Sequence, residues 1–174
     1  MKFLDKILLN YYYKKKKREK IINYYRKIGY KIGDKCNICT RLSTSEPYLL
    51  SIGDNCIISY NVDFVTHDAS VSVLLNEWHN DLYGRIVIGN NCFIGSNSII
   101  MYGVSLGDNT IVASGSVVTK SFNSGNVVLA GVPAKPICTI EEFRKKNVSK
   151  VINTNGLNYN QKKELISNSE LVIK

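Results

Sequence analysis

The chain of 174 residues contains two histidines, and each sits among side chains able to take part in chemistry. His67 lies in Thr66-His67-Asp68, and His79 in Glu77-Trp78-His79-Asn80-Asp81. A neutral imidazole is the natural proton acceptor near pH 7, so the search for a general base narrows at once to these two. Asp63 and Asp68 lie close enough in sequence to orient the His67 ring, although both also suit ordinary turns. Trp78 and His79 offer an aromatic face and a polar group to a bound acceptor, and Arg85 closes the same stretch with a positive charge. Cys36-x-x-Cys39 has no matching second pair, and two histidines fall short of a three-histidine centre, so no metal is expected. No Walker A loop and no Rossmann glycine fingerprint occur, so nothing points to ATP or NAD.

The elements that must position these residues announce themselves by a repeat. An aliphatic or aromatic residue recurs every six positions at Ile52, Ile58 and Phe64, and again at Ile88, Ile94, Ile100, Leu106, Val112 and Val118. Period six is neither the helical 3.6 nor the strand alternation of two. It fits short strands turning at regular corners, each coil stacking its apolar face on the next. The fifth position of each unit is small or β-branched, and Cys36, Cys56 and Cys92 there read as core filler. The fourth position is Asn55, Asn61, Asn91, Asn97, Gly103, Asn109 and Gly115. Asn and Gly tolerate positive φ, so this column predicts a left-handed corner at every turn.

His67 takes that fourth position in the unit that starts at Phe64. A break in a regular array is where function is first sought. Residues 69–87 then interrupt the period, and an insertion of that length in a compact domain is expected to be functional. A weaker version of the period at Ile32-Gly33 and Ile38 slips around Pro47, which predicts imperfect first coils.

The net charge of +9 is confined to one end. Residues 1–31 hold eleven Lys and Arg against Asp5 and Glu19, and the rest of the chain is balanced. With no basic stripe on the body, a nucleic-acid partner is not expected. Phe3, Leu4, Ile7, Leu8, Tyr11 and Tyr12, then Ile21, Ile22 and Tyr25, recur at helical spacing beside the lysines. Such a helix either rests on an anionic membrane surface or packs on its own assembly with its lysines in solvent; the second reading is favoured. Residues 138–174 read as polar helix with Asn-rich breaks. Five cysteines, an odd and scattered number, do not make a disulfide framework. No run is apolar and long enough to span a bilayer, and no secretory h-region is recognisable, so a cytoplasmic protein is expected.

The stretch Ile86 to Lys120, followed by Leu129-Ala130-Gly131-Val132-Pro133-Ala134-Lys135, resembles the hexapeptide-repeat acyltransferases over about residues 50–137. It is most similar to their sugar O-acetyltransferase branch, which includes galactoside, maltose, capsule and lipopolysaccharide acetyltransferases. The resemblance implies an all-β core, a left-handed parallel β-helix over 32–137, between a basic helical segment (1–31) and a C-terminal helical extension (138–174). It implies transfer from acetyl-CoA to a sugar hydroxyl, in the assembly of a surface polysaccharide, with His67 as general base. Another small acceptor, a serine hydroxyl or an amino-sugar amine, is the alternative. For the donor, the resemblance points to Phe93, Gly95, Ser96, Ser114 and Gly115 along the pantetheine arm, and to Thr119, Lys120 and Lys135 near the adenosine 3′-phosphate. It also implies a homotrimer with active sites between subunits.

Overall fold

The computed structural model describes residues 3–14, 17–78 and 80–172. They fall into two compact units, one ending at Ile140 and one beginning at Glu141. The first opens with helices α1 (Phe3–Lys14) and α2 (Arg18–Lys27), followed by β1 (Lys31–Ile32) and β2 (Asn37–Ile38). A full coil follows in β3 (Leu50–Ile52), β4 (Ile57–Ile58) and β5 (Asp63–Phe64). The chain then leaves the array through β6 (His67–Asp68), α3 (Ser70–Leu75) and β7 (Leu82–Tyr83). Two more coils come from β8 (Ile86–Ile88), β9 (Phe93–Ile94) and β10 (Ile99–Ile100), then β11 (Ser105–Leu106), β12 (Ile111–Val112) and β13 (Val117–Val118). A hairpin of β14 (Val127–Gly131) and β15 (Ala134–Thr139) closes the unit.

Stacked coil on coil, these strands make three parallel faces. The first is β1-β3-β8-β11, the second β2-β4-β9-β12-β14, and the third β5-β10-β13. β15 adds antiparallel to the second face. The period-six anchors Ile52, Ile58, Ile88, Ile94, Ile100, Leu106, Val112 and Val118 all point inward and are buried. Two-residue strands have little intrinsic stability, so each depends on the coils above and below it.

The corners follow the fourth-position column. Asn55, Asn61, Asn91, Asn97 and Asn109 have φ between +54° and +59°, and Gly103 and Gly115 have φ of +76° and +74°. Lys35, at φ +57°, carries the column into the first coil. The asparagines also bond one another up the edge, Asn55 to Asn91 at 2.9 Å and Asn61 to Asn97 at 3.2 Å. The fifth-position side chains do more than fill space. Cys36 and Cys56 donate to the corner carbonyls of Gly53 and Gly89 at 3.1 Å, and Thr110 to Gly107 at 2.7 Å. Buried backbone acceptors are thereby satisfied where the chain turns.

Two expectations change and a third is sharpened. His67 is not at a left-handed corner: it runs on extended into β6, where it pairs antiparallel with Tyr83 of β7. The excursion therefore starts at His67 and ends by Arg85, because Ile86 already belongs to β8. The first coil has two sides only. Residues 39–49, ending in a 3-10 turn at Pro47–Leu49, replace its third, which leaves β5 at the outer edge of its sheet.

The open end of the solenoid is covered by α2, which buries Ile21, Ile22, Tyr24 and Tyr25. Arg26 fastens it, donating through Nε and an Nη to the carbonyls of Ile32 and Gly33, both at 2.8 Å. A solenoid needs such a cap, since its last coil would otherwise expose its apolar interior. No described helix is long and apolar enough to cross a membrane. The second unit is polar and helical. It holds most of α4 (Ile140–Asn147) and α5 (Tyr159–Ser167), whose first turn is closed by reciprocal bonds between Asn158 and Gln161.

Core and corner should differ in what they contribute. Leu50→Ala, at a fully buried site, should cost about 2–5 kcal/mol in urea unfolding. Asn97→Ala, at φ +59°, should cost about 1–2 kcal/mol. A larger loss at Asn97 than at Leu50 would contradict this division.

Candidate active site

His67 stands on the edge between the third and first faces. Tyr102-Gly103 and Thr119-Lys120 turn the same edge in the next two coils, as the bonds from Val65 N–H to the Ile100 carbonyl and from Met101 N–H to the Val118 carbonyl show. The hairpin at the base of the excursion sits tightly there, for a Cβ on Gly84 would lie 2.4 Å from the Gly103 nitrogen. Glu46 reaches this edge from the irregular segment 39–49. Its Oε2 accepts from Thr66 Oγ1 at 2.7 Å and lies 2.9 Å from His67 Nδ1.

A carboxylate only accepts, so the hydrogen sits on Nδ1 and the Nε2 lone pair is left available. The Glu46 side chain is 12% exposed and that of His67 38%, an arrangement of buried holder and accessible ring. Burial by itself would raise the Glu46 carboxyl, but the hydrogen bonds from Thr66 and His67, with the charge His67 carries once protonated, outweigh it and hold the group below the ordinary glutamate value. The Tyr83 ring covers one side of the imidazole, with centroids 5.8 Å apart. A narrow cleft of about 180 Å³ runs between residues 41–45 and 62–67 and ends at His67.

The other sequence-predicted residues divide. Asp68 does not hold the ring: it accepts from Ser70 N–H at 2.8 Å and from the Tyr102 hydroxyl at 3.2 Å, pinning the start of α3. The Ser70 hydrogen bonds are the main reason its carboxyl lies below the usual range. Asp63 is exposed on β5 and lines the cleft without bonding His67. Arg85 donates to the Tyr48 carbonyl at 3.4 Å, which ties the excursion to the segment carrying Glu46. Trp78, 89% exposed, lines a separate cavity of about 600 Å³ within the excursion, with Ser72, Val73 and Glu77. His79 lies outside the described residues.

On the donor side, Gly95-Ser96 and Ser114-Gly115 stack on the edge between the second and third faces, where Gly115 N–H donates to the Ser96 carbonyl at 2.8 Å. Gly95 must lack a side chain, since a Cβ would meet the Ser114 nitrogen at 2.5 Å. Ser96 and Ser59 hydroxyls are 2.7 Å apart. Phe93 is partly exposed on the second face, and Lys135 is exposed on β15. Thr119 and Lys120 are exposed on the His67 edge, with the Lys120 ammonium 5.6 Å from the Phe122 ring centre. Within one chain the third face thus separates His67 from Gly95-Ser96 and Ser114-Gly115. Glu46, Tyr83 and Ser59 were not anticipated. The slip of the period before Pro47 was the only sign that residues near Glu46 leave the array.

A parallel solenoid broken at a carboxylate-held histidine, with glycine-lined backbone on a neighbouring edge, has parts that group transfer onto an activated nucleophile would use. The hexapeptide repeat of succinyl-transferases matches residues 85–120. Protein CapG of Staphylococcus aureus is 42% identical over 147 residues, covering 82% of this chain and 85% of that one. Galactoside O-acetyltransferase of Escherichia coli K12 is 39% identical over 105 residues, which span 60% of this chain and about half (51%) of the relative. A solved galactoside acetyltransferase in complex with coenzyme A superimposes with a TM-score of 0.55 at 27% identity, covering 73% of each chain. The chain belongs to the hexapeptide-repeat acetyltransferases and is an acetyltransferase. Membership implies that its coils wind left-handed.

The Glu46 carboxylate should register in stability as well as in geometry. A carboxyl held below its unfolded value of about 4.3 stabilises the fold above that pH and loses the contribution as pH falls toward its folded value. The melting-temperature gap between wild type and Glu46→Gln should therefore be full at neutral pH and shrink on acidification below about pH 4. A gap that stays full well below that pH would show that Glu46 is not held as its ion.

Proposed function

We propose that this acetyltransferase moves the acetyl group of acetyl-CoA onto a sugar hydroxyl, with His67 as general base, in the assembly of a surface polysaccharide. The observation that carries the reading is the Glu46–His67 contact at 2.9 Å on a ring that remains partly exposed. Nε2 takes the proton of the acceptor hydroxyl as its oxygen attacks the thioester carbonyl. The new C–O bond forms and the carbonyl oxygen becomes an oxyanion. The C–S bond then breaks, and the departing thiolate takes the proton back from the imidazolium. Glu46 stays ionised throughout; it fixes the ring and offsets its charge while the imidazolium lasts.

Backbone amides at Ser96 and Ser114 suit the pantetheine arm and the developing oxyanion, the bare backbone of Gly95 and Gly115 lets the arm approach closely, and Phe93 supplies an apolar wall. Thr119, Lys120 and Lys135 suit the adenosine end, where lysine presents a compact charge to phosphate. The galactoside O-acetyltransferase relative favours a sugar as acceptor. Because His67 and the glycine-serine edge stand apart in one chain, the reading requires a neighbouring copy to bring them together, in a homotrimer. Val73, Leu74 and Trp78, all more than four-fifths exposed, are apolar surface that such a neighbour would cover. The reading needs no metal, and among the described residues no cluster suited to one occurs. It places the protein where acetyl-CoA is, in the cytoplasm. A peripheral membrane role is less favoured, because α2 turns its apolar residues onto the solenoid.

Thiol release from acetyl-CoA across a panel of sugars should depend on the acceptor and fall about a hundredfold or more in His67→Ala. Glu46→Gln should lower kcat more than it changes KM. Release that survives His67→Ala would move the base elsewhere and sink the mechanism. Sedimentation should find three copies per particle; a fully active monomer would exclude the shared site.

A further inference from the structure

The side missing from the first coil leaves a space with a definite lining. β5 ends its sheet, and between it and residues 39–49, which take the place of the missing strand, lies a groove. Its near end is the cleft that stops at His67. Its far end widens into a cavity of about 750 Å³ between the N-terminal helices and the first two coils, lined by Tyr13, Arg18, Arg41, Tyr60, Asn61 and Asp63 among others. Arg41 and Asp63 line both parts, so the two adjoin. From Asn61 to His67 the chain follows one whole side of the coil, at most about 20 Å. That is longer than one hexose ring.

The charge in this groove is uneven. Arg18 and Arg41 face one carboxylate, Asp63. Arg41 is aimed by a hydrogen bond from its guanidinium to Asn10 Oδ1. The Tyr60 ring, 64% exposed, gives a flat surface beside them on which a sugar ring can lie. Planar guanidinium groups match carboxylate and phosphate oxygens in pairs, which an uncharged sugar cannot exploit.

We infer that the acceptor is an anionic saccharide: it lies along the open edge of β5, presents its reacting hydroxyl to His67, and sets a phosphate or carboxylate between Arg18 and Arg41. This rests on the sugar acetyltransferase reading and narrows its substrate class. Two sources supply the same chemistry, a glycosyl phosphate or diphosphate on one side and a uronic acid on the other.

The test gives each of several hexoses in three forms, as the methyl glycoside, the 1-phosphate and the uronic acid, to wild type, Arg18→Gln and Arg41→Gln. Thiol release measures transfer, and calorimetry measures binding of the same compounds without turnover. Wild type should favour an anionic form by about tenfold or more in kcat/KM, and each variant should reduce that preference by about tenfold. The preference should also shrink as salt is raised. Whether the phosphate or the carboxylate is preferred then names the source. Equal use of neutral and charged forms by wild type, or a preference intact in both variants, would overturn the inference. If wild type acetylates none of them, the sugar reading fails. The groove is then judged by calorimetry alone: anion binding weakened in Arg18→Gln, which needs no change at the Arg41–Asn10 contact, would sustain the subsite, and no binding would end it.

Discussion

Every coil of this solenoid is held by amides that must find the carbonyls of the next coil in register. Phe93 N–H reaches the Thr110 carbonyl at 3.0 Å, Gly95 N–H that of Val112 at 2.8 Å, and Ile57 N–H that of Cys92 at 2.9 Å. One residue added within a side would turn the inward anchor outward and break the pairing above and below. Variation is therefore driven out of the sides and into the corners, as whole excursions. Only two large ones occur among the described residues of the solenoid, residues 39–49 and 67–85, and they leave from neighbouring coils on the same part of the surface. The contact between Glu46 and His67 is the point where they meet.

That arrangement suits a site needing a fixed ring and a changeable pocket. The His67 backbone is anchored by its neighbours in the array, with Val65 N–H bonded to the Ile100 carbonyl and Gly84 N–H to that of Thr66. Its ring is set by a carboxylate that is itself held by Thr66. Orientation of this kind is worth much of a transfer enzyme's rate, and it is most secure on rigid elements. Some of the residues that would meet different acceptors, Arg41 among them, lie instead on the two excursions, where sequence can change without disturbing a coil.

The period, the left-handed corners and the interruption after His67 were legible because each is a local property, either a spacing or a residue's tolerance for positive φ. Where local signals mislead, tertiary pairing is the reason. His67 occupies the corner position by count, but the chain there joins a hairpin with Tyr83 and stays extended. Lys35 takes a left-handed corner that lysine does not advertise. Asp63 and Asp68 are near His67 in sequence, yet one is exposed on the strand and the other is engaged by Ser70 and Tyr102. Glu46, 21 positions away, holds the ring because the first coil lost its third side. The slip of the period around Pro47 reports that loss, but no spacing rule says which side chain it brings to His67.

The basic N-terminus fits the same logic. α2 spends Ile21, Ile22, Tyr24 and Tyr25 on capping the solenoid, so its charge is what it presents outward. Beyond residue 31 the chain is electrically balanced, so the excess positive charge belongs to residues 1–31. Exposed charges act over about 8–10 Å at ordinary ionic strength, so those that matter most line a cleft rather than ring the surface. Arg18 and Arg41 do so, at the far end of the groove that leads to His67. A field focused there raises the local concentration of anions and orients them before contact. Arg18, in the segment that closes the apolar core, would thus also help select what reaches the imidazole.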